Sequence, residues 1–162
     1  MPDAPDPIPY ASPVAYDASL ARWLRRSVGW AAAVYGTAMA LAQAYFIALT
    51  RKWISASQMD FGRFTPLQDV ISWAEAAAHL LLVVAGVLVL RRHRNALAAL
   101  RLAAGATLLT GYAQQTHNVI AERSLGFFFP YNLLYGVVAG SVLPALLIVT
   151  TMGPLGREMR RG

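Results

Sequence analysis

The segment 69–90, DVISWAEAAAHLLLVVAGVLVL, decides the fold. Its 22 residues rise about 33 Å as an α-helix, enough to cross the ~30 Å hydrocarbon core of a bilayer. It holds no lysine or arginine and stops abruptly at Arg91-Arg92-His93-Arg94. Two ionisable residues, Glu75 and His79, interrupt the apolar run. Their four-residue spacing stacks them on one helix face.

The composition around this segment agrees with it. Of 162 residues, 57% are hydrophobic and 14% charged, where soluble domains carry about a quarter charged. Cysteine is absent, which excludes disulfide frameworks, thiol catalysis, thiolate zinc sites and iron–sulfur clusters. The net charge of +6 sits at the ends of apolar blocks. That distribution predicts a lipid bilayer as the partner of the basic residues and no nucleic acid.

Three further spans are expected, giving spans at about 27–50, 69–90, 95–122 and 130–153. The first lies between Arg22, Arg25 and Arg26 and the pair Arg51–Lys52. ALAQA at Ala40–Ala44 has the small residues of a signal-peptide cleavage site, but the apolar run continues through Tyr45, Phe46, Ile47 and Leu49, so the span is read as uncleaved. Arg101 near one end of the third span is expected to snorkel to the interface. Pro130 suits a helix start, and Pro144 is expected to kink the fourth span. Residues 1–19, with five prolines and three aspartates, read as a flexible tail. The PYASP piece within it (9–13) resembles Pro/Tyr-containing tails of uncharacterised bacterial membrane proteins, and no function carries over from so short a match. Residues 20–153 form the bundle and 154–162 a basic tail.

Arg22, Arg25, Arg26, Arg91, Arg92, Arg94, Arg101, Arg157, Arg160 and Arg161 flank one side of the spans, and Arg51, Lys52, Arg63 and Arg123 the other. By the positive-inside rule both termini are cytoplasmic. The expected fold is thus an all-α integral membrane four-helix bundle of up-down topology, in a bacterial cytoplasmic membrane. Spans two and three, joined by about five residues, form a tight antiparallel hairpin. Trp53, Phe61, Phe64 and the FFF at 127–129 give an aromatic outer rim. Small residues supply packing seams: Gly36, Ala40 and Ala44 on span one, Ala74 and Ala78 on span two, Gly136 and Gly140 on span four.

Polar side chains concentrate in the outer half of the bundle. Glu75 lies about 9 Å and His79 about 15 Å below the start of span two, counted at 1.5 Å per residue. Ser72 precedes them, Gln43 on span one lies at the depth of Glu75, and Thr110, Gln114, His117 and Asn118 share a face of span three. Tyr131, Asn132 and Tyr135 open span four. A carboxylate at that depth costs several kcal/mol when charged, so it faces the interior and is paired or protonated. The leading structural reading is a Glu75–His79 hydrogen bond completed by Gln43 and Gln114.

Three functions are compatible with these residues. The first is a non-enzymatic accessory subunit of a larger membrane complex, with partner subunits or a second copy as its protein contact. The second is a proton-linked transporter or channel using Glu75 and His79. Four short spans with one intramembrane glutamate resemble the small multidrug transporters, but those carry their glutamate in the first span, so no residue carries over. The third is a haem- or metal-binding redox subunit with His79, His117 and Glu75 as ligands. The depth difference between the two histidines argues against a haem axis, so no cofactor is expected. No Walker loop, GxSxG or HExxH motif is present.

Overall fold

The computed structural model describes residues 18–57, 66–124, 130–153 and 156–157. Positions 1–17 of the tail expected over 1–19 and most of the basic tail fall outside these residues, as do Phe61, Phe64 and 127–129, while positions 18 and 19 are helical. The chain is all α, with α1 Ala18–Ser57, α2 Pro66–Leu90, α3 Ala96–Ser124 and α4 Pro130–Met152. Stretches of α1, α2 and α3 (Ser19–Leu49, Pro66–Leu90 and Ala96–His117) are long and apolar enough to cross a membrane. The described apolar part of α4 is the shorter Gly140–Met152.

The helix ends follow from local chemistry. No proline occurs between positions 18 and 57, so α1 runs unbroken for 40 residues, about 60 Å. It therefore carries both flanking basic groups as helix rather than loop. α2 opens three residues earlier than expected, at Pro66, because proline lacks only an N–H that the first turn leaves unused. The end of α2 is a Schellman turn. The His93 N–H donates to the Leu88 carbonyl at 3.0 Å, and the Arg92 N–H to the Val89 carbonyl at 3.2 Å. Arg92 takes the left-handed position with φ 56°, where glycine is the usual occupant. Asn95 then leads into α3, its carbonyl accepting from the Ala99 N–H at 2.9 Å.

α1 and α2 approach closely where both lack side chains. A Cβ added at Gly36 would lie 2.7 Å from the His79 carbonyl oxygen, and one at Gly86 would lie 2.7 Å from the Gly29 carbonyl oxygen. These contacts set one antiparallel register along the whole pair. Its far end is marked by an ion pair, Arg51 to Asp69 at 3.3 Å, with the Arg51 guanidinium 5.9 Å from the Trp73 ring. The seam differs in part from the expected one: Gly36 and Ala78 are buried, but Ala44 and Ala74 are exposed. A Cβ at Gly140 would meet nothing within 4 Å. The real seam follows the seven-residue step from Gly29 to Gly36 through Ala32, the spacing of a left-handed pair.

Packing among the described residues runs chiefly between chain neighbours: α1 on α2, α2 on α3, α3 on α4. The apolar core lies in the half of the molecule nearest the 91–95 turn. It comprises Ala32, Leu82, Ala85, Val89, Ala96, Leu100, Ala103, Ala104 and Leu147. Arg101 is half-buried. It donates from Nε to Thr151 Oγ1 at 3.3 Å and from Nη2 to the Thr151 carbonyl, capping the last turn of α4 with a cation where the helix dipole favours one.

The outside of the molecule is apolar. Trp30, Val34, Leu41 and Tyr45 on α1, Leu80, Leu81 and Val84 on α2, and Leu102 and Leu109 on α3 are all exposed. A patch of this extent far exceeds what a water-soluble monomer tolerates. Threonine hydroxyls on this surface satisfy themselves within their own helices, Thr37 to the Ala33 carbonyl and Thr150 to the Leu146 carbonyl, both at 2.8 Å. That arrangement suits a surrounding medium with no hydrogen bonds to offer.

Candidate functional site

The polar side chains gather in the half of the molecule away from the 91–95 turn. On α2, Ser72 and His79 are each 1% exposed, and Gln114 on α3 is 6% exposed. Glu75 is half-buried between Ser72 and His79 in the chain. The Ser72 hydroxyl donates to Gln114 Oε1 at 3.4 Å, a buried link between α2 and α3. The hairpin register that makes this pair also sets Glu75 against Gly111, where an added Cβ would lie 4.0 Å from Glu75 Oε1.

His79 faces the other way. Its ring meets the edge of Tyr35 on α1, with centroids 6.0 Å apart and planes at 67°, a geometry worth about 0.5–1.5 kcal/mol beyond burial. His79 Nδ1 is buried without a hydrogen-bond partner.

The expected Glu75–His79 hydrogen bond is therefore replaced by a split arrangement. Stacking on one helix face brings two residues near, but Glu75 leans toward α3 while His79 packs against α1. Gln114 is engaged by Ser72 rather than by Glu75. Gln43 is half-buried on α1 and makes no hydrogen bond to the cluster among the described residues. Thr110 turns its hydroxyl onto the Ala106 carbonyl of its own helix at 2.9 Å. The side chains of Asn118 and Tyr135, and of Tyr131 and Asn132, lie outside the described ones.

His117 is half-buried on α3, three residues beyond Gln114. With Gln114 opposite Ser72, His117 falls near the level of Asp69, ten residues before His79. That is about 15 Å along the helix, too far for two axial ligands of one iron. Among the described residues, no three His, Cys, Asp or Glu side chains converge to hold a metal ion.

Tyr35 is the member of the cluster that sequence reasoning missed. It lies eight residues before Gln43, two turns along the same face of α1. That spacing was the available signal, but tyrosine in a span reads first as an anchor. The arrangement as a whole links three helices through polar contacts and leaves one buried imidazole nitrogen uncommitted. The chain matches no known protein family, no curated protein and no solved structure.

Proposed function

We propose that this chain is a non-enzymatic accessory subunit of a larger membrane complex. In this reading four spans cross a bacterial cytoplasmic membrane with both termini inside. The carrying observation is the direction of the polar contacts. Ser72 bonds to Gln114 across α2 and α3, and His79 packs on Tyr35 across α2 and α1. Each contact joins two helices, and together they fix the register of three. A hydrogen bond between membrane helices is worth about 0.6 kcal/mol on average, and with the ring contact this is enough to select a register. The broad apolar face of α1, which packs mainly on α2, gives a partner subunit a surface to cover.

The test is purification of the tagged full chain from its membrane in mild detergent. A partner recovered at fixed stoichiometry supports the accessory role, and a monodisperse monomer refutes it. Reporter fusions at the C-terminus test the orientation, which fails if the fusion is active only outside the cytoplasm.

A proton-relay reading is favoured by one observation, the unpartnered buried Nδ1 of His79 one turn from a carboxylate. A relay needs a site that takes up and gives back a proton, and a fully bonded histidine has none to spare. Proton flux into liposomes holding the purified chain, read with an internal pH dye, separates the two readings. In a relay, Glu75→Gln and His79→Ala abolish flux. In the accessory role they change thermal stability alone.

A further inference from the structure

The other end of the molecule carries a second polar constellation. The register that sets Gly29 against Gly86 and Leu90 brings Arg25, one turn earlier on α1, against the 91–95 turn. Arg25 is half-buried and feels the charge of Arg92. Two like charges are thus held together, and the described carboxylate side chains, Asp69 and Glu75, lie toward the opposite end of α2. A half-buried guanidinium held near a second, exposed one is costly unless an anion joins them.

A separate observation concerns the backbone. Arg92 sits at φ 56°, a left-handed conformation that costs a non-glycine residue about 1–2 kcal/mol. Glycine would close the same Schellman turn without that cost. Keeping arginine at a strained position points to a use for its side chain. Beside this corner, Trp23 and Trp30 are 63% and 60% exposed on α1, one on either side of Arg26 in the chain. Tryptophan flanking arginine is the pattern of a helix at the level of lipid headgroups.

We propose that Arg25 and Arg92 clasp the phosphate of an anionic phospholipid at the corner between the start of α1 and the 91–95 turn. The assignment rests on the membrane reading of α1 and α2. Guanidinium groups match phosphate oxygens with paired N–H donors, and a lipid supplies acyl chains for the apolar surface alongside. A zwitterionic lipid brings a cation with its phosphate and fits the doubly positive corner poorly.

The experiment measures the thermal unfolding midpoint of the full chain in neutral detergent doped with phosphatidylglycerol, with phosphatidylcholine, or with inorganic phosphate alone. Phosphatidylglycerol should raise the midpoint saturably and the other two should not. Arg25→Gln should remove most of that rise. Arg92→Gly should remove it as well while raising the midpoint in neutral detergent, which shows that the variant folds. Arg157→Gln, at the same end, should keep the rise. An equal rise with phosphatidylcholine, an equal rise with inorganic phosphate, or an undiminished rise in the Arg25 and Arg92 variants would each overturn the assignment. Failure of the underlying membrane reading has its own signature, the chain leaving membranes in carbonate wash without detergent.

Discussion

Replacing Gly36 with alanine tests the contact on which the α1–α2 pair depends. The added Cβ would lie 2.7 Å from the His79 carbonyl oxygen and 3.0 Å from both the backbone nitrogen and Cγ2 of Val83. Ordinary contact begins near 3.4 Å, so the helices must part locally by about 0.7 Å. A gap of that size forfeits roughly a quarter to a half of the dispersion energy between facing atoms, and over some twenty to forty atom pairs the loss is about 1–3 kcal/mol. Alanine also raises helix propensity by up to ~1 kcal/mol, which partly masks the loss. Gly105→Ala supplies the correction, because a Cβ there meets nothing within 4 Å. The readout is the difference between the two variants in thermal unfolding in detergent, about 3–10 °C with Gly36→Ala the lower. A Gly36→Ala variant as stable as Gly105→Ala would refute the close approach of the two helices.

Three further perturbations probe other contacts. Ser72→Ala should cost about 0.5–2 kcal/mol, because it removes the buried hydrogen bond between α2 and α3. Adding Gln114→Leu should recover most of that loss, and a simple sum of the two single effects in the double-mutant cycle would argue against the bond. Arg101→Gln should lower stability by about 1–2 kcal/mol by uncapping the last turn of α4, with Arg101→Lys intermediate. If hydrogen exchange at 148–152 is unchanged in Arg101→Gln, the cap contributes nothing. Asp69→Asn should cost less than about 1 kcal/mol, and less still in high salt, since both partners of Arg51–Asp69 are substantially exposed.

Much of the fold was legible because membrane segments announce themselves by length and by where charges stop. Residues 91–94 mark the end of α2 at Leu90 unambiguously, and proline marks the start of α4. The overrun of α1 past Arg51 was not legible, since no residue there breaks a helix and hydropathy alone locates only its apolar part. Within the polar cluster the structure shows Ser72 on Gln114 and His79 on Tyr35, contacts that residue counting does not give. Depth follows from counting residues, whereas partner choice depends on how helices are rotated against one another. That rotation is set by Gly29, Gly36 and Gly86; Gly36 stands out as a seam residue in the sequence, but its partners, and the roles of Gly29 and Gly86, show only once the two helices are paired. The left-handed Arg92 was hidden for a related reason: the turn lacks the glycine that would advertise it.

The sequential packing has a consequence for how the protein is made. A chain inserted from its N-terminus releases α1 first, and α2 emerges next to the helix it packs against. The same holds for α3 on α2 and for α4 on α3. Each helix finds its main partner already made, so synthesis order doubles as assembly order. Contacts between sequence neighbours close quickly because little chain entropy is lost. The last step is fastened by Arg101, made long before the Thr151 carbonyl it caps. A latch set in advance on α3 thus secures α4 once Thr151 has been made.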